Sequence, residues 1–152
     1  MPRKTTFDEN MAYLLGMYYG KGTEKGIGIF AKSKSLQSLF LNHALKIGIL
    51  PEKITVTENS VFFFHSRLKA RFDKILAERL IVFNKMNTKT LAYIAGLTAV
   101  CGRIEGNSIF ISHMNNIDAL LFERLGLKTT RRKGDLVIMN ASELIEPISS
   151  MI

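Results

Sequence analysis

Met11-Ala12-Tyr13-Leu14-Leu15-Gly16-Met17 returns 80 residues later as Leu91-Ala92-Tyr93-Ile94-Ala95-Gly96-Leu97, with Ala, Tyr and Gly in register. The match continues at the same offset, because Gly22 corresponds to Gly102 and Ile29-Phe30 to Ile109-Phe110. Further on, Ile47-Gly48-Ile49 resembles Leu125-Gly126-Leu127 at an offset of 78, which requires a small insertion or deletion between the copies. The sequence therefore predicts two copies of one supersecondary unit.

Both copies predict the same order of elements. Apolar residues at helical spacing, ended by a glycine, predict a first helix over 8–20 and again over 88–101. In the first half, a strand (27–33), a helix (35–47), a hairpin (53–58 with 61–66) and a last helix (68–83) follow. In the second half, the same elements are predicted as a strand (108–113), a helix (116–125), a hairpin (127–132 with 136–140) and a last helix (142–149). With one more short strand after each first helix, the unit is αββαββα. We expect an α+β fold in which 1–152 form one domain of half-repeats, about 7–84 and 87–150.

The charge balance favours a polyanionic partner. The chain has a net charge of +8, and residues 1–85 hold 14 Lys and Arg against 7 Asp and Glu. The single cysteine, Cys101, excludes an internal disulfide or a multi-cysteine zinc site and suggests a reducing compartment such as the cytoplasm. The longest apolar run, Leu80–Phe83, is too short to span a bilayer, so we expect no membrane partner.

Residues 14–22, Leu-Leu-Gly-Met-Tyr-Tyr-Gly-Lys-Gly, and residues 94–102, Ile-Ala-Gly-Leu-Thr-Ala-Val-Cys-Gly, resemble the LAGLIDADG signature of homing endonucleases. The resemblance covers nearly the whole chain, including the order of elements. It implies two motif helices packed along a pseudo-twofold axis, and two four-stranded antiparallel sheets that form a saddle over nucleic acid. Gly16 and Gly20, like Gly96 and Val100, lie four residues apart on one helix face, where small residues permit close approach.

The resemblance also shows which chemistry is missing. In active members the eighth motif position is an acid, and the two acids together hold divalent metal ions; here these positions are Lys21 and Cys101. An ammonium repels Mg²⁺, and a thiol suits a hard cation poorly. Glu24 and Glu105 lie just beyond, and we interpret them as solvated turn carboxylates. We therefore expect no catalytic residue, no metal and no cofactor, with Cys101 buried and inert.

Strand alternation and the basic run 128–133 indicate a binding surface. Its candidate cations are Lys32, Lys128, Arg131, Arg132 and Lys133. Phe30, Phe110 and one of Phe62 or Phe64 would share that surface. Such aromatics suit unpaired bases or a protein partner. In the alternative assignment of the two faces, they belong to the core.

These observations favour a non-catalytic protein, derived from a LAGLIDADG homing endonuclease, that binds DNA or structured RNA. The resemblance is compatible with a DNA-binding regulator and with a splicing helper for introns. Two alternatives stay open at this point. One is a divergent metal-dependent DNA endonuclease, and the other is a protein-interaction module in which the phenylalanines bury against a partner.

Overall fold

The computed structural model describes residues 7–152. Its helices are α1 (Glu9–Lys21), α2 (Lys34–Lys46), α3 (Ser66–Ala77), α4 (Arg79–Val82), α5 (Thr88–Cys101), α6 (Asn116–Arg124) and α7 (Ser142–Met151). Its strands are β1 (Ile27–Phe30), β2 (Ile54–Val56), β3 (Ser60–Phe63), β4 (Gly102–Glu105), β5 (Ser108–Ser112), β6 (Lys128–Arg132) and β7 (Asp135–Met139), with a 3₁₀ turn over Pro51–Lys53. The α+β class and the predicted repeat are confirmed.

The two motif helices, α1 and α5, begin in the same way. The side chain of Asp8 accepts a hydrogen bond from the amide of Met11 (3.0 Å), and that of Asn87 accepts one from the amide of Thr90 (3.0 Å). Each cap satisfies one of the amide groups that the first helical turn leaves without a partner. The helices end at Gly22 and Gly102, as the repeat in the sequence predicts, but both glycines are extended and do not have the left-handed conformation of a C-cap glycine.

The motif helices pack backbone against backbone in a reciprocal contact. A Cβ atom placed on Gly16 would collide with the carbonyl oxygen of Tyr93 and lie 3.0 Å from the amide nitrogen of Leu97. A Cβ atom on Gly96 would collide with the carbonyl oxygen of Tyr13 and lie 3.0 Å from the amide nitrogen of Met17. Because the two contacts exchange under the repeat, they lie on either side of a pseudo-twofold axis.

The sheets differ between the halves, and the prediction of two four-stranded sheets is wrong for the first. The second half has the order β4-β5-β7-β6, whereas the first has only β1-β3-β2. Where a further strand was expected, a single bridge joins Gly22 to Ile29. Gly26 has a φ of 68° and its repeat counterpart Gly106 a φ of 58°, so both halves turn at this glycine. The register differs by two residues, because Gly22 bridges Ile29 whereas Gly102 pairs with Ile111.

The predicted helix over 68–83 is divided in two. It begins at Ser66, where the ring of His65 accepts from the amide of Leu68 (3.1 Å), and it breaks at Glu78 (φ −107°, ψ 20°). The break turns the Arg79 side chain inward, where its Nη1 donates to the carbonyl oxygen of Leu76 (2.7 Å). A buried arginine side chain therefore satisfies a carbonyl that the interrupted helix leaves free.

One apolar core runs through both halves, between the sheets and the helices. It contains both motif helices together with the inward residues of the strands, such as Ile27, Ile29, Ile109 and Ile111, all fully buried. Within residues 7–152, no helix is long and apolar enough to cross a membrane.

Candidate nucleic-acid interface

The degenerate motif positions lie at the adjoining ends of the two motif helices. Lys21 is the last residue of α1 and is exposed, while Cys101 is the last residue of α5 and is partly buried. A Cβ atom on Gly20 would lie 2.6 Å from Val100 Cγ2 and 3.0 Å from Cys101 Sγ, so the two helix ends are in contact. The positions expected to carry metal-binding acids therefore meet in space.

The Cys101 thiol is held in its neutral form. Its Sγ donates to the carbonyl oxygen of Leu97 (3.3 Å). Burial raises the pKa of Cys101 to about 11, and the positive charge of Lys21 only partly opposes that increase. Since the thiolate is the reactive and metal-binding form of cysteine, the raised pKa disfavours that form near neutral pH.

The two glutamates beyond the motifs are both exposed to solvent. Glu24 is exposed in the bend after α1, and Glu105 is exposed at the end of β4. The Glu105 carboxylate accepts from Arg103 Nε at 2.9 Å. In the described part of the chain, no three His, Cys, Asp or Glu side chains are grouped so that they could hold a metal ion.

A buried polar network, which no local sequence pattern predicts, joins the halves beside the helix ends. Tyr19, at the sixth motif position, donates from its hydroxyl to Asp118 Oδ2 (2.8 Å), and Arg79 Nε donates to Asp118 Oδ1 (2.9 Å). Arg79 Nη2 also donates to the Tyr19 hydroxyl (3.2 Å) and to Asn115 Oδ1 (3.3 Å). Burial, followed by the hydrogen bond to Asp118, raises the pKa of Tyr19, so this hydroxyl stays protonated.

Asp118 is fully engaged within the protein. It also completes a capping box on α6, because Oδ2 accepts from the amide of Asn115 (2.9 Å). Both carboxylate oxygens therefore have protein partners, and 2% of the residue is exposed. This aspartate is a structural tie between the halves and is not a free acid next to Cys101.

The β6–β7 hairpin, which we call the basic hairpin, divides its cations between two faces. Arg131 pairs in register with the buried Leu136, and its Nη1 donates to the carbonyl oxygen of Met114 (2.9 Å), so it lies on the helix side of the sheet. Lys128 and Arg132 alternate with it and lie on the outer face. The expectation that the whole basic run shares one surface therefore needs correction for Arg131.

The tip of the basic hairpin is a two-residue turn. Lys133 and Gly134 have φ values of 49° and 88°, the geometry of a tight antiparallel turn with two residues at positive φ. Lys133 is exposed at this tip, next to Arg132. On the same outer face, Arg103 donates to Asp135 Oδ2 (3.1 Å), and this hydrogen bond lowers the pKa of Asp135. Arg103 is thus partly neutralised, whereas no ion pair of Lys128, Arg132 or Lys133 is found among the described residues.

The outer face of the first sheet carries exposed aromatic side chains. Phe30 is 49% exposed and Phe64 is 66% exposed, while Phe62 between them is partly buried. Lys32 is exposed two residues after Phe30. Phe110, at the repeat position of Phe30, also lies on the outer face but is only 8% exposed. The alternative in which all these phenylalanines are core is therefore excluded.

Comparison with solved structures identifies the fold. The chain superposes on I-DmoI in complex with DNA and Mn with a TM-score of 0.64 and 19% sequence identity, over 96% of this chain and 97% of that one. It superposes on the N-terminal LAGLIDADG domain of DUF199/WhiA with a TM-score of 0.63 and 13% identity, over 99% of this chain and 86% of that one.

No protein-family model matches the sequence, and no curated protein does. The sequence identities with the solved structures are low, so the likeness is one of architecture. I-DmoI is a homing endonuclease, and that structure contains DNA. The protein described here has a LAGLIDADG-like fold.

Proposed function

We propose that this protein binds nucleic acid through the outer faces of its two sheets and does not cleave it. The observation that carries the proposal is the pair of side chains at the joined ends of α1 and α5. Lys21 and Cys101 occupy the positions where the resemblance requires two metal-binding acids. The fold is retained around them, so the scaffold is kept while its catalytic groups are replaced.

The replacement opposes metal-dependent cleavage in two ways. Metal-assisted phosphodiester hydrolysis needs anionic oxygen ligands that bridge the ions and activate water. Lys21 adds a positive charge where the ions would lie, and the buried thiol of Cys101 has a pKa of about 11 and supplies no anion. The Asp118 carboxylate accepts hydrogen bonds from Tyr19 and Arg79, so it does not take the place of the two missing acids.

The binding half of the proposal is supported by the placement of the cations. Lys128, Arg132 and Lys133 project from the outer face and tip of the basic hairpin, and Lys32 is exposed beside the outer face of the first sheet. The chain carries a net charge of +8. Such a distribution attracts a phosphate backbone and releases its condensed counterions on binding. I-DmoI, which has the same fold, has been crystallised with DNA.

The structure provides a matched pair of variants for testing this surface. Lys128→Ala with Arg132→Ala removes two outer cations, whereas Arg131→Ala removes a cation of the same strand that lies on the other face. Affinities for a labelled duplex and for labelled oligo(U) are measured by fluorescence anisotropy between about 50 and 200 mM salt. The melting temperature of each variant shows whether the fold is intact.

We expect the outer-face variant to weaken binding and to reduce the slope of log affinity against log salt. The reduction is about 0.9 per lost contact on duplex DNA and about 0.7 on a single strand. Arg131→Ala is expected to change the slope little. Equal effects of the two variants would show that the outer face is not the contact surface. Failure of the unmodified protein to bind either probe at low salt would refute the binding proposal itself.

A further inference from the structure

One face of the first sheet presents phenylalanines to solvent in place of polar side chains. β1 and β3 pair in register, so Gly28 lies opposite Phe62 and Phe30 lies opposite Ser60. The intervening residues Ile27, Ile29, Val61 and Phe63 are fully buried on the other side. Phe30, Phe62 and Phe64 therefore share the outer side, and we call these three residues the aromatic face.

The rings of the aromatic face are arranged with open surfaces. Phe62 and Phe64 meet edge to face, with centroids 5.6 Å apart and an interplanar angle of 78°. The Phe64 ring lies against the backbone of Gly26, where an added Cβ atom would be 3.1 Å from its Cδ1. Phe30 is the diagonal neighbour of Phe62 across the strand pair, about 7–8 Å away by ordinary sheet geometry. Two rings thus remain largely uncovered beside a third that is partly buried.

In the second half, the phenylalanine at the repeat position of Phe30 is covered by an arginine side chain. There, the guanidinium of Arg103 lies 4.4 Å from the centroid of the Phe110 ring, and Phe110 is 8% exposed. Arg103 comes from β4, which pairs directly with β5. In the first half that strand is reduced to one bridge, and Thr23 stands at the repeat position of Arg103. The amide of Thr23 donates to the carbonyl oxygen of Gly28 (3.1 Å), so Thr23 stands beside Gly28 and not beside Phe30, and Phe30 remains 49% exposed.

Exposed aromatic side chains grouped on one face indicate a contact surface, since soluble proteins rarely leave such groups in water without a function. We propose that the aromatic face binds unpaired bases of a single-stranded nucleic acid by stacking, while cations of the two halves bind its phosphates. This inference rests on the proposed function and specifies the form of its ligand.

Charge and chemistry favour unpaired bases over the two other occupants of such a face. In a duplex the bases already stack on each other, and they are identified from the groove by hydrogen bonds, which phenylalanine cannot make. An unpaired base exposes its ring face, and aromatic side chains bind it with little dependence on sequence. Residues 1–85, which contain the aromatic face, hold 14 Lys and Arg against 7 Asp and Glu. That excess suits a polyanion better than an average protein surface.

The test compares single-stranded and duplex probes on the same variants. Affinities for labelled oligo(U), oligo(dT) and a duplex are measured by anisotropy for Phe30→Ala and Phe64→Ala. The control is Ile81→Ala, which removes an apolar side chain that is more exposed (72%) than either phenylalanine from α4, outside the sheet. Phe64→Leu and Phe64→Trp separate stacking from general apolar contact. The melting temperature reports on folding in every case.

We expect each alanine variant to weaken single-strand binding at least about fivefold and to leave duplex binding almost unchanged. Phe64→Trp should keep the affinity for single strands, and Phe64→Leu should lose it. The oligo(U) and oligo(dT) results show which of the two probes the site prefers, and a loss on either probe supports the proposal.

An equal loss on single strands and duplex, or no loss on any probe, would overturn the inference. If the unmodified protein binds duplex tightly and the phenylalanine variants change nothing, nucleic-acid binding stands and only the stacking site falls. Self-association in analytical ultracentrifugation that the phenylalanine variants abolish, with nucleic-acid binding unaffected, would assign the face to a second copy of the chain and would also overturn the inference.

Discussion

Replacing Gly16 with alanine tests the contact on which the whole arrangement depends. The new methyl group would enter the space of the Tyr93 carbonyl oxygen and lie 3.0 Å from the Leu97 amide nitrogen. These are backbone atoms of α5, so they can move only if the two helices separate. Gly20→Ala is the matched control in the same helix. Its methyl group would meet Val100 Cγ2 at 2.6 Å and Cys101 Sγ at 3.0 Å, both of which are side-chain atoms and not backbone atoms.

The magnitude follows from two opposing effects. Alanine is favoured over glycine in a helix by about 1 kcal/mol. Overpacking of a closed contact costs about 1–3 kcal/mol, and backbone neighbours place Gly16 at the upper end of that range. We therefore expect Gly16→Ala to lower the free energy of unfolding by about 2 kcal/mol and Gly20→Ala to change it by less than about 1 kcal/mol. For a chain of this size the difference corresponds to a melting-temperature gap of roughly 4–8 °C.

Thermal unfolding followed by circular dichroism measures both variants under identical conditions. Combining Gly16→Ala with Gly96→Ala adds a test of symmetry. One separation of the helices would relieve both collisions, so the double variant should lose less stability than the sum of the two single variants. A Gly16→Ala protein that melts at or above the temperature of Gly20→Ala would refute the backbone contact.

Three further predictions concern buried polar groups. Asp118→Asn leaves the guanidinium of Arg79 buried without its counter-charge and should lower the free energy of unfolding in urea by about 3 kcal/mol or more. The control Asp73→Asn, which loses an exposed ion pair with Lys69, should lower it by under about 1 kcal/mol, and similar losses would contradict a structural role for Asp118. The Tyr93 hydroxyl is buried without a hydrogen-bond partner among residues 7–152, so Tyr93→Phe should be neutral or stabilising by up to about 1 kcal/mol, and a clear fall in the melting temperature would reveal a partner. Burial lowers the pKa of His43 from 6.5 to about 4, so the unfolded chain takes up a proton at a higher pH than the folded chain does. The free energy of unfolding should therefore fall by on the order of 2 kcal/mol as the pH drops from 6.5 to about 4, after allowance for partial exposure. His43→Gln should remove this fall, and a pH profile that the substitution leaves unchanged would contradict the prediction.

The repeat could be predicted from the sequence because its signals are local. Helical spacing, capping residues and terminal glycines all lie within a few residues of each other, and they recur at an offset of 80. The close approach at Gly16 and Gly96 follows from the small residue in each copy. The missing strand could not be inferred, because Gly22 and Gly102 match in the alignment. What differs is the pairing that follows, because Gly22 bridges Ile29 whereas Gly102 pairs with Ile111, two residues further along the next strand.

The site was predicted less completely than the fold. Alternation, counted back from the core residue Leu136, places Arg131 and Arg132 on opposite faces of the basic hairpin, so this part follows from the sequence. The network of Tyr19, Arg79 and Asp118 has no local signal, since its members are up to 99 residues apart. Only its capping part, Asn115 followed three residues later by Asp118, has a recognisable sequence pattern.

The joined ends of α1 and α5 also allow a test of whether a metal site can be built at positions 21 and 101. Lys21→Asp with Cys101→Asp would place two carboxylates at the contact of α1 and α5. Two like charges so close should lower stability in the absence of metal, and Mg²⁺ should restore part of it. Metal-dependent stabilisation in the double variant, absent in either single variant, would show that the scaffold still holds the geometry of a metal site.

The central claim is that the protein binds nucleic acid and leaves it intact. The most direct measurement incubates the unmodified protein with the probes that it binds, duplex and single-stranded, in Mg²⁺ and in Mn²⁺, and resolves the products on a denaturing gel. We expect retained binding and full-length probe at every time point, because Lys21 and Cys101 supply no anionic oxygen ligand. Metal-dependent cleavage by the unmodified protein, abolished by chelation and persisting after further purification, would contradict the claim.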